Sequence, residues 1–200
     1  MQTLLSRELD KEKERSVLNN ALAQADRLNQ LVENILVATS IENSTYDVFP
    51  KPADLSALVT RLLATSAALS QEKHQLQTAI EPNIPAQLDE LAVTSILENL
   101  LENAVKYAPE GSTITVSVNS TKGRPTLTVA DEGPGIPAAD QAQIFQKFFR
   151  GGDEETRTAK GTGLGLYIVK QLADRLEANV ALTSDAGKGA IFAIRFQPPA

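Results

Sequence analysis

The sequence has 200 residues, no cysteine and a formal net charge of -6, with an isoelectric point near 4.9. This length suits one domain with an extension, and a hydrophobic content of 42% is enough for a core. The acidic balance argues against nucleic acid as a partner, because phosphate contacts need a basic surface. The lack of cysteine excludes disulfides and thiolate metal sites. No apolar run approaches the roughly 18 residues of a bilayer span, so we expect no membrane contact by this chain.

A long helix is predicted over residues 11–43, which contain neither glycine nor proline. Small or apolar residues recur there at spacings of three and four: Leu18, Ala21, Ala25, Leu28, Val32, Ile35 and Thr39, with Leu22, Leu31 and Leu36 beside them. This heptad seam indicates a helix of about 50 Å that packs with partner helices in a bundle. The alternative is an amphipathic helix on its own domain. Without partner helices, we expect the seam to associate or to fold onto the rest of the chain.

The remaining residues predict a two-layer α/β sandwich, in which helices cover one face of a mixed sheet. Residues 44–52 form a polar, proline-containing linker, and Asp54 is the expected N-cap of the next helix. The elements expected after the linker are a helix at 54–69, a strand at 76–80, a helix at 87–107, and two hairpins with strands at 113–119 and 125–131 and at 179–185 and 189–196.

Three separated motifs carry the candidate chemistry. They are ENLLENAVKYAP at 98–109, DEGPGIP at 131–137 and KGTGLGLYIV at 160–169. Any one of them alone is common, as a pair of surface asparagines, a turn or a flexible glycine loop. The occurrence of all three in this order along one chain is far more specific than any one motif alone, and it indicates a single composite site.

Each motif suits one part of a magnesium nucleotide. Asn99 and Asn103 lie four residues apart and share a helix face, and Mg²⁺ accepts amide oxygens as ligands. Asp131 ends a strand before a glycine, so its carboxylate can accept the exocyclic amine of adenine. Backbone N–H groups from Gly163 to Leu166 open a helix and can bind phosphates. No Walker A sequence is present. The motifs therefore predict an ATP site.

On these motifs, residues 53–197 resemble the catalytic, ATP-binding region of a sensor histidine kinase, in the GHKL superfamily of gyrase-type, mismatch-repair and heat-shock ATPases. The first motif is similar to the N box of that family, DEGPGIP and GTGLGL to its two glycine boxes, and IFQKFFRG at 144–151 to its F box. KYAP and FFRG favour the kinase branch. The resemblance implies the Bergerat fold for residues 50–200. It implies for residues 1–49 a partial dimerisation hairpin, with the tail of its first helix at 1–6 and a turn at 7–13.

The resemblance also implies roles for individual residues. Asn103 would bind Mg²⁺, and Asn103, Lys106 and Arg150 would take part in catalysis. The cofactor-binding residues implied are Asn99, Asn103, Lys106, Tyr107, Asp131, Gly133, Gly135, Ile136, Lys160, Gly161, Thr162, Gly163, Leu164, Gly165 and Leu166. The segment from 146 to 160 would be a lid, which Phe145, Phe148 and Phe149 anchor on the core.

The function implied is transfer of the ATP γ-phosphoryl group to a histidine of the dimerisation hairpin, for relay to an aspartate of a response regulator. Homodimerisation and a cytoplasmic location, with an optional membrane anchor upstream, belong to this expectation. The family's acceptor lies before Met1, so we expect Mg-ATP binding without autophosphorylation. His74 is the only histidine, and we expect it to be solvated and not the acceptor. The alternatives are a non-catalytic nucleotide-binding module and another GHKL-type ATPase or serine kinase.

Overall fold

Seven strands and five helices make up the part of the chain that the computed structural model describes, residues 11–43, 45–70, 74–151 and 162–199. In chain order they are α1 (Lys11–Glu42), β1 (Lys51–Asp54), α2 (Leu55–Ser70), β2 (Gln75–Ile80), β3 (Pro85–Leu88), α3 (Glu90–Tyr107), β4 (Thr113–Thr121), β5 (Arg124–Asp131), α4 (Ala138–Gln141), α5 (Gly165–Arg175), β6 (Asn179–Ser184) and β7 (Ala190–Arg195). None of these helices is long and apolar enough to span a bilayer.

The main sheet has five strands in the order β2-β4-β5-β7-β6. β2 and β4 run parallel, and the other neighbours are antiparallel. Alternate side chains of its central strands are buried, as the strand period requires: Ile114, Val116, Val118, Leu127, Val129, Phe192 and Ile194. α2, α3 and α5 pack against the sheet and α3 packs against both other helices, which confirms the predicted α/β sandwich and both hairpins.

Two helix starts show where the predicted boundaries hold and where they fail. Asp54 caps α2 as expected, because its Oδ1 accepts from the N–H groups of Ser56 at 2.8 Å and Ala57 at 3.2 Å. The predicted start of α3 at residue 87 is wrong. Asp89 caps that helix through Ala92 N–H at 3.0 Å, and the residues before it form β3.

A small second sheet accounts for this error. β3 pairs antiparallel with β1, whose first two residues we assigned to the linker. Strands of four residues with a proline in each, KPAD and PAQL, carry almost no strand signal of their own. The two strands form because each provides backbone hydrogen-bond partners for the other. The sequence of one of these segments does not show which remote segment it pairs with.

α1 is helical throughout its predicted length, including Lys11–Lys13, which the resemblance placed in a turn. Its C-terminal part packs on α5, but of the predicted heptad seam and its flanking leucines only Leu31 faces the body, and Val37, outside the seam, also packs on the core. The side chains that face the rest of the protein are Leu31, Asn34, Ala38 and Ile41, at spacings of three, four and three. The seam stays exposed, by 45–64% for Leu18, Leu22, Leu28, Val32, Ile35 and Leu36. Helix α1 therefore has two apolar stripes, one packed on the body and one open.

His74 is buried and not solvated as predicted, since only 7% of its surface is exposed. Its Nε2 lies 3.0 Å from the carbonyl oxygen of Val105, in the last turn of α3, and its Nδ1 lies 3.4 Å from Ser112 Oγ. A carbonyl can only accept, so Nε2 carries the proton. The carbonyls of the last helical turn have no partner within the helix, and His74 satisfies one of them. This contact is a structural reason for its burial.

Candidate functional site

A cavity of about 500 Å³ opens between α3, the end of β5, and the N-terminus of α5. Its volume lies in the range of small-molecule sites, about 300–1,000 Å³. The motifs at 98–109, 131–137 and 160–169 all contribute described residues to its lining. The predicted composite site is therefore one cavity in the folded chain, formed at one end of the main sheet.

The α3 wall of the cavity contains the two asparagines of the first motif. Asn99 is buried, and its Nδ2 donates to the Ser95 carbonyl oxygen at 2.8 Å. Asn103, one turn later, buries its Nδ2 without any hydrogen-bond partner among the described residues. An unpaired buried amide costs about 1–3 kcal/mol, and such a group calls for a functional explanation. Asn103 is thus the group of this wall that lacks a partner from the protein.

The N-terminus of α5 approaches these asparagines closely because residue 165 is glycine. A Cβ at Gly165 would lie 2.7 Å from Asn99 Oδ1 and 3.7 Å from Asn103 Nδ2. Gly163, with a φ of +72°, would place a Cβ 2.7 Å from the carbonyl carbon of Phe148. The glycines of this motif therefore allow helix α5 and the F-box backbone to meet beside α3.

Asp131 lines the cavity at the end of β5. Its Oδ1 accepts from Gly133 N–H at 2.8 Å. Burial raises the pKa of this carboxyl above its ordinary value, and hydrogen bonds from the backbone at Gly133 and Ala190 partly oppose the rise. The carboxylate is thereby oriented by the backbone on one side and lines the cavity on the other.

Glu102 lines the α3 edge of the cavity, and Glu98 lies one turn before it on the same helix. Burial raises the pKa of Glu102, the neighbouring charge of Glu98 raises it further, and Lys106 lowers it. The pKa of Glu98 is raised by burial and then by Glu33 of α1. Lys106 donates to the Tyr107 hydroxyl at 2.8 Å. A cation or a proton at this edge would relieve the repulsion between the acidic groups.

The predicted site residues divide into three groups. Those that line the cavity are Asn99, Asn103, Lys106, Tyr107, Asp131, Gly135, Ile136, Arg150, Thr162, Gly163, Gly165 and Leu166. Gly133 and Leu164 are buried beside it and are not among its lining residues. Lys160 and Gly161, with most of the predicted lid, lie outside the described residues.

The F-box prediction is only partly correct. Phe145 and Phe149 pack against the core, but Phe148 is 65% exposed and does not anchor the segment. Its backbone has a φ of +60°, and its N–H donates to the Gly163 carbonyl oxygen at 3.0 Å. This backbone turn directs the Phe148 ring to solvent while the chain continues to Arg150 at the cavity.

Several lining residues were not predicted. Leu31 and Asn34 reach the cavity from α1, Glu102 from α3, and Phe192 from β7. Glu102 could have been named, since it precedes Asn103 in the same motif. Asn34 is the polar member of the 31, 34, 38, 41 stripe, but the sequence does not show that this stripe faces the cavity.

The chain is similar to known proteins of one family. The profile described as "Histidine kinase-, DNA gyrase B-, and HSP90-like ATPase" matches residues 88–200. The sensor-like histidine kinase SenX3 of Mycobacterium tuberculosis is 27% identical over 194 residues, 96% of this chain and 47% of the relative. The chain thus spans less than half of the curated relatives such as this one.

Solved structures are similar to this chain over nearly its full length, including α1. Acinetobacter baumannii histidine kinase AdeS matches with a TM-score of 0.72 at 25% identity, covering 97% of this chain and 88% of that one. Full-length ShkA, in a crystal structure with AMPPNP, matches with a TM-score of 0.74 at 27% identity, covering 97% and 41%. Since the family profile matches more than half of the sequence and includes all the motifs that line the cavity, the chain belongs to the histidine kinase-, DNA gyrase B- and HSP90-like ATPases.

Proposed function

We propose that this chain is the catalytic region of a sensor histidine kinase, which binds Mg-ATP and transfers the γ-phosphoryl group to a histidine of a helical hairpin. The observation that carries the proposal is the cavity shared by Asn103, Asp131 and the N-terminus of α5. It combines an unpaired amide, a carboxylate and a helix end. These are suitable partners for a metal, an adenine amine and phosphates respectively.

The residues present fit a bound Mg-nucleotide. The Asn103 amide is the unpaired buried group of the α3 wall, and a rotation about its last side-chain torsion exchanges the amide nitrogen and oxygen. The oxygen is the hard ligand that Mg²⁺ accepts, and Mg²⁺ typically retains water and phosphate oxygens as its other ligands. Bound there, the ion would neutralise phosphate charge. Asn99 and Glu102 border the same position.

In the proposed reaction, the bond between the γ-phosphorus and the bridging oxygen to the β-phosphate breaks, and a bond to an imidazole nitrogen forms. ADP leaves, and the imidazole N–H proton passes to solvent. Catalysis of such transfers rests mainly on positioning and charge neutralisation. Arg150 and Lys106 line the cavity and supply positive charge for the transferred group. Asp131 would hold the adenine end.

The proposed partners follow from the same assignment. The exposed seam of α1 would pack in a four-helix bundle with a second subunit, since apolar heptads favour bundle association. A response-regulator receiver domain would take the phosphoryl group onto an aspartate. We place this activity in the cytoplasm.

The test is phosphohistidine formation on a separately supplied hairpin that contains a histidine, with radiolabelled ATP and magnesium. Label on that histidine supports the kinase, and an Asn103→Ala variant should abolish it. The His74→Gln variant should retain it, because both ring nitrogens of His74 are already bonded inside the fold. Phosphate release without label would favour an ATPase, and nucleotide binding without either reaction would favour a binding module.

A further inference from the structure

Helix α1 contributes a wall to the nucleotide cavity. Leu31 and Asn34 line it together with Asn99 and Asn103 of α3. Four and seven residues after Asn34, Ala38 and Ile41 are buried in the core, so all of these α1 positions lie on one face of the helix. The cavity is therefore closed on this side by a segment that precedes the residues matched by the family profile, which begin at 88.

Specific polar contacts hold α1 in this position. Arg175, the last residue of α5, donates from Nη2 to the Ile41 carbonyl oxygen at 2.6 Å and from Nη1 to the Tyr46 carbonyl oxygen at 2.7 Å. The first of these carbonyls belongs to the last turn of α1, where backbone acceptors have no partner within the helix. Glu42 forms an ion pair with Lys147 of the F box. The C-terminal end of α1 is thus held by the last residue of α5 and by the F box.

Asn34 is the one polar residue in the stripe of α1 that packs against the rest of the protein. It is only 9% exposed overall, and no hydrogen bond joins its side chain to another residue that the structure describes. Its amide atoms are not among the side-chain atoms of the described residues that are buried without a partner, so the amide is accessible from the cavity that it lines. The other members of its stripe, Leu31, Ala38 and Ile41, are apolar. A leucine would continue this apolar stripe, whereas no contact of the amide with the protein explains an asparagine here. An amide that no protein group pairs with and that is accessible from the cavity is what a ligand-binding group would show.

The neighbours of Asn34 indicate the part of the ligand that it would meet. The preceding residue, Glu33, lies close enough to Glu98 of α3 for their charges to interact, and Glu98 adjoins Asn99. Asn34 therefore lies near Asn99, whereas Asp131 lies near the C-terminal end of α3, since a Cβ at Gly133 would be 2.7 Å from Asp131 Oδ1 and 3.2 Å from the Tyr107 carbonyl oxygen. An amide Nδ2–H is a suitable donor to an anionic oxygen and makes a charge-assisted hydrogen bond there.

We propose that Asn34 of α1 is a nucleotide-binding residue that donates to the polyphosphate of the bound nucleotide. This inference rests on the proposed function of the cavity and adds to it a ligand contact from outside the matched family region. Because only the packed helix presents this amide, nucleotide binding favours packed α1 over released α1. The strength of α1 packing and nucleotide affinity are then linked through one side chain.

The experiment measures binding of Mg-ADP and of adenosine by calorimetry to the full chain and to the variants Asn34→Ala and Asn34→Leu. Asn29→Ala is the matched control, since Asn29 is an exposed asparagine of the same helix. Loss of one hydrogen bond to a charged oxygen should weaken Mg-ADP binding about tenfold. Adenosine lacks phosphates, so its affinity should change less than about twofold in either variant. Asn29→Ala should bind both ligands as the unmodified chain does.

Two further readouts separate a binding role from a structural one. Without ligand, Asn34→Leu should unfold at the same temperature as the unmodified chain or higher, because the amide that it removes bonds no other described residue and the leucine adds apolar contact. With Mg-ADP, hydrogen exchange of the α1 amides at 31–41 should slow in the unmodified chain, and by less in Asn34→Leu. Both variants test the same contact, so a folding defect in Asn34→Ala leaves the Asn34→Leu result decisive.

Other outcomes overturn the inference. Unchanged Mg-ADP affinity in both Asn34 variants would remove Asn34 from the site while leaving the proposed function intact. An equal loss in Asn29→Ala, or an equal loss for adenosine, would show a general effect on the fold. If the unmodified chain binds neither Mg-ADP nor Mg-AMPPNP, the proposed function itself fails, and this inference falls with it.

Discussion

Gly189 lies directly against the backbone of Asp131: a Cβ at Gly189 would be 1.9 Å from the Asp131 carbonyl oxygen. The two residues meet because β5 pairs with β7, with Asp131 opposite Ala190. Gly189 ends the turn of the second hairpin, remote in sequence from the motif that contains Asp131. The carboxylate proposed to bind adenine is therefore positioned in part by a turn glycine of another hairpin.

We expect Gly189→Ala to destabilise the protein by about 2–4 kcal/mol, since it adds a steric clash to the strain of a positive φ. Its φ is +77°. Displacement of the Asp131 backbone should also weaken adenine nucleotide binding. Denaturant unfolding and calorimetric titration with ADP measure the two effects.

The control for this prediction is Gly187→Ala in the same turn. Gly187 has a φ of +80° but nothing within 4 Å of its added Cβ. Only the backbone strain of about 1 kcal/mol should remain, and nucleotide affinity should not change. Equal effects of the two substitutions would show that contact with Asp131 does not matter.

Asp131→Ala should abolish preference for adenine over guanine nucleotides, and Asp131→Asn should retain part of the affinity because its amide oxygen still accepts. The pH dependence follows from the raised pKa of Asp131. The ionised form is the better acceptor, so binding should weaken on acidification at a pH above the ordinary Asp pKa of 3.8. Calorimetry at a series of pH values measures the nucleotide affinity. In Asp131→Asn the loss of affinity at low pH should be absent, because the amide does not titrate there.

The sandwich and the cavity could be predicted from the sequence because their signals are local. The two hairpins alternate in hydrophobicity, and the motifs at 98–109 and 131–137 are contiguous. The pairing of β1 with β3, and the burial of His74 against Val105, depend on contacts between remote segments. No local pattern distinguishes such residues from a linker or an exposed strand end.

Helix α1 illustrates the same limit on a larger scale. Its helical character and its heptad seam were evident, and the structure has the helix over 11–42. Which stripe faces the body was not evident, because Val32 and Ile35 are as apolar as Leu31 and Ile41. The choice depends on α5, whose Arg175 bonds the end of α1. The role of Asn34 became visible only when that choice was known.

Asn103→Ala should remove the magnesium dependence of nucleotide binding. Its amide is the unpaired polar group of the α3 wall, so the apo protein should lose little stability on its removal. Titrations of ADP with magnesium and with a chelator should give different affinities for the unmodified chain and similar ones for the variant. Asn179→Ala, at an exposed position of β6, is the control and should keep the difference. A variant that still responds to magnesium would contradict the proposed role.

Arg175→Met should loosen the C-terminal end of α1. The substitution removes the donors to the carbonyl oxygens of Ile41 and Tyr46 but keeps the apolar stem, and we expect a loss of about 2–3 kcal/mol in the free energy of unfolding. Hydrogen exchange in the last turns of α1 should accelerate. Arg61→Met is the control, because Arg61 and Glu90 form an ion pair with side chains 63% and 60% exposed, worth about 0–1 kcal/mol. Similar losses in both variants would count against a specific role of Arg175.

Glu98→Gln should stabilise the protein at neutral pH and not at acid pH. Burial and the charge of Glu33 raise the pKa of Glu98 above its ordinary 4.5, so stability from this group is present below that pH and is lost as the pH rises through the raised value. Glutamine avoids this loss. Thermal unfolding should therefore show a higher midpoint for the variant at pH ~7 and equal midpoints below the ordinary pKa. Glu110→Gln, at an exposed turn, should match the unmodified chain throughout. A difference that persists at acid pH would point to altered packing, and no difference at neutral pH would mean that neither burial nor the charge of Glu33 raises the pKa of Glu98.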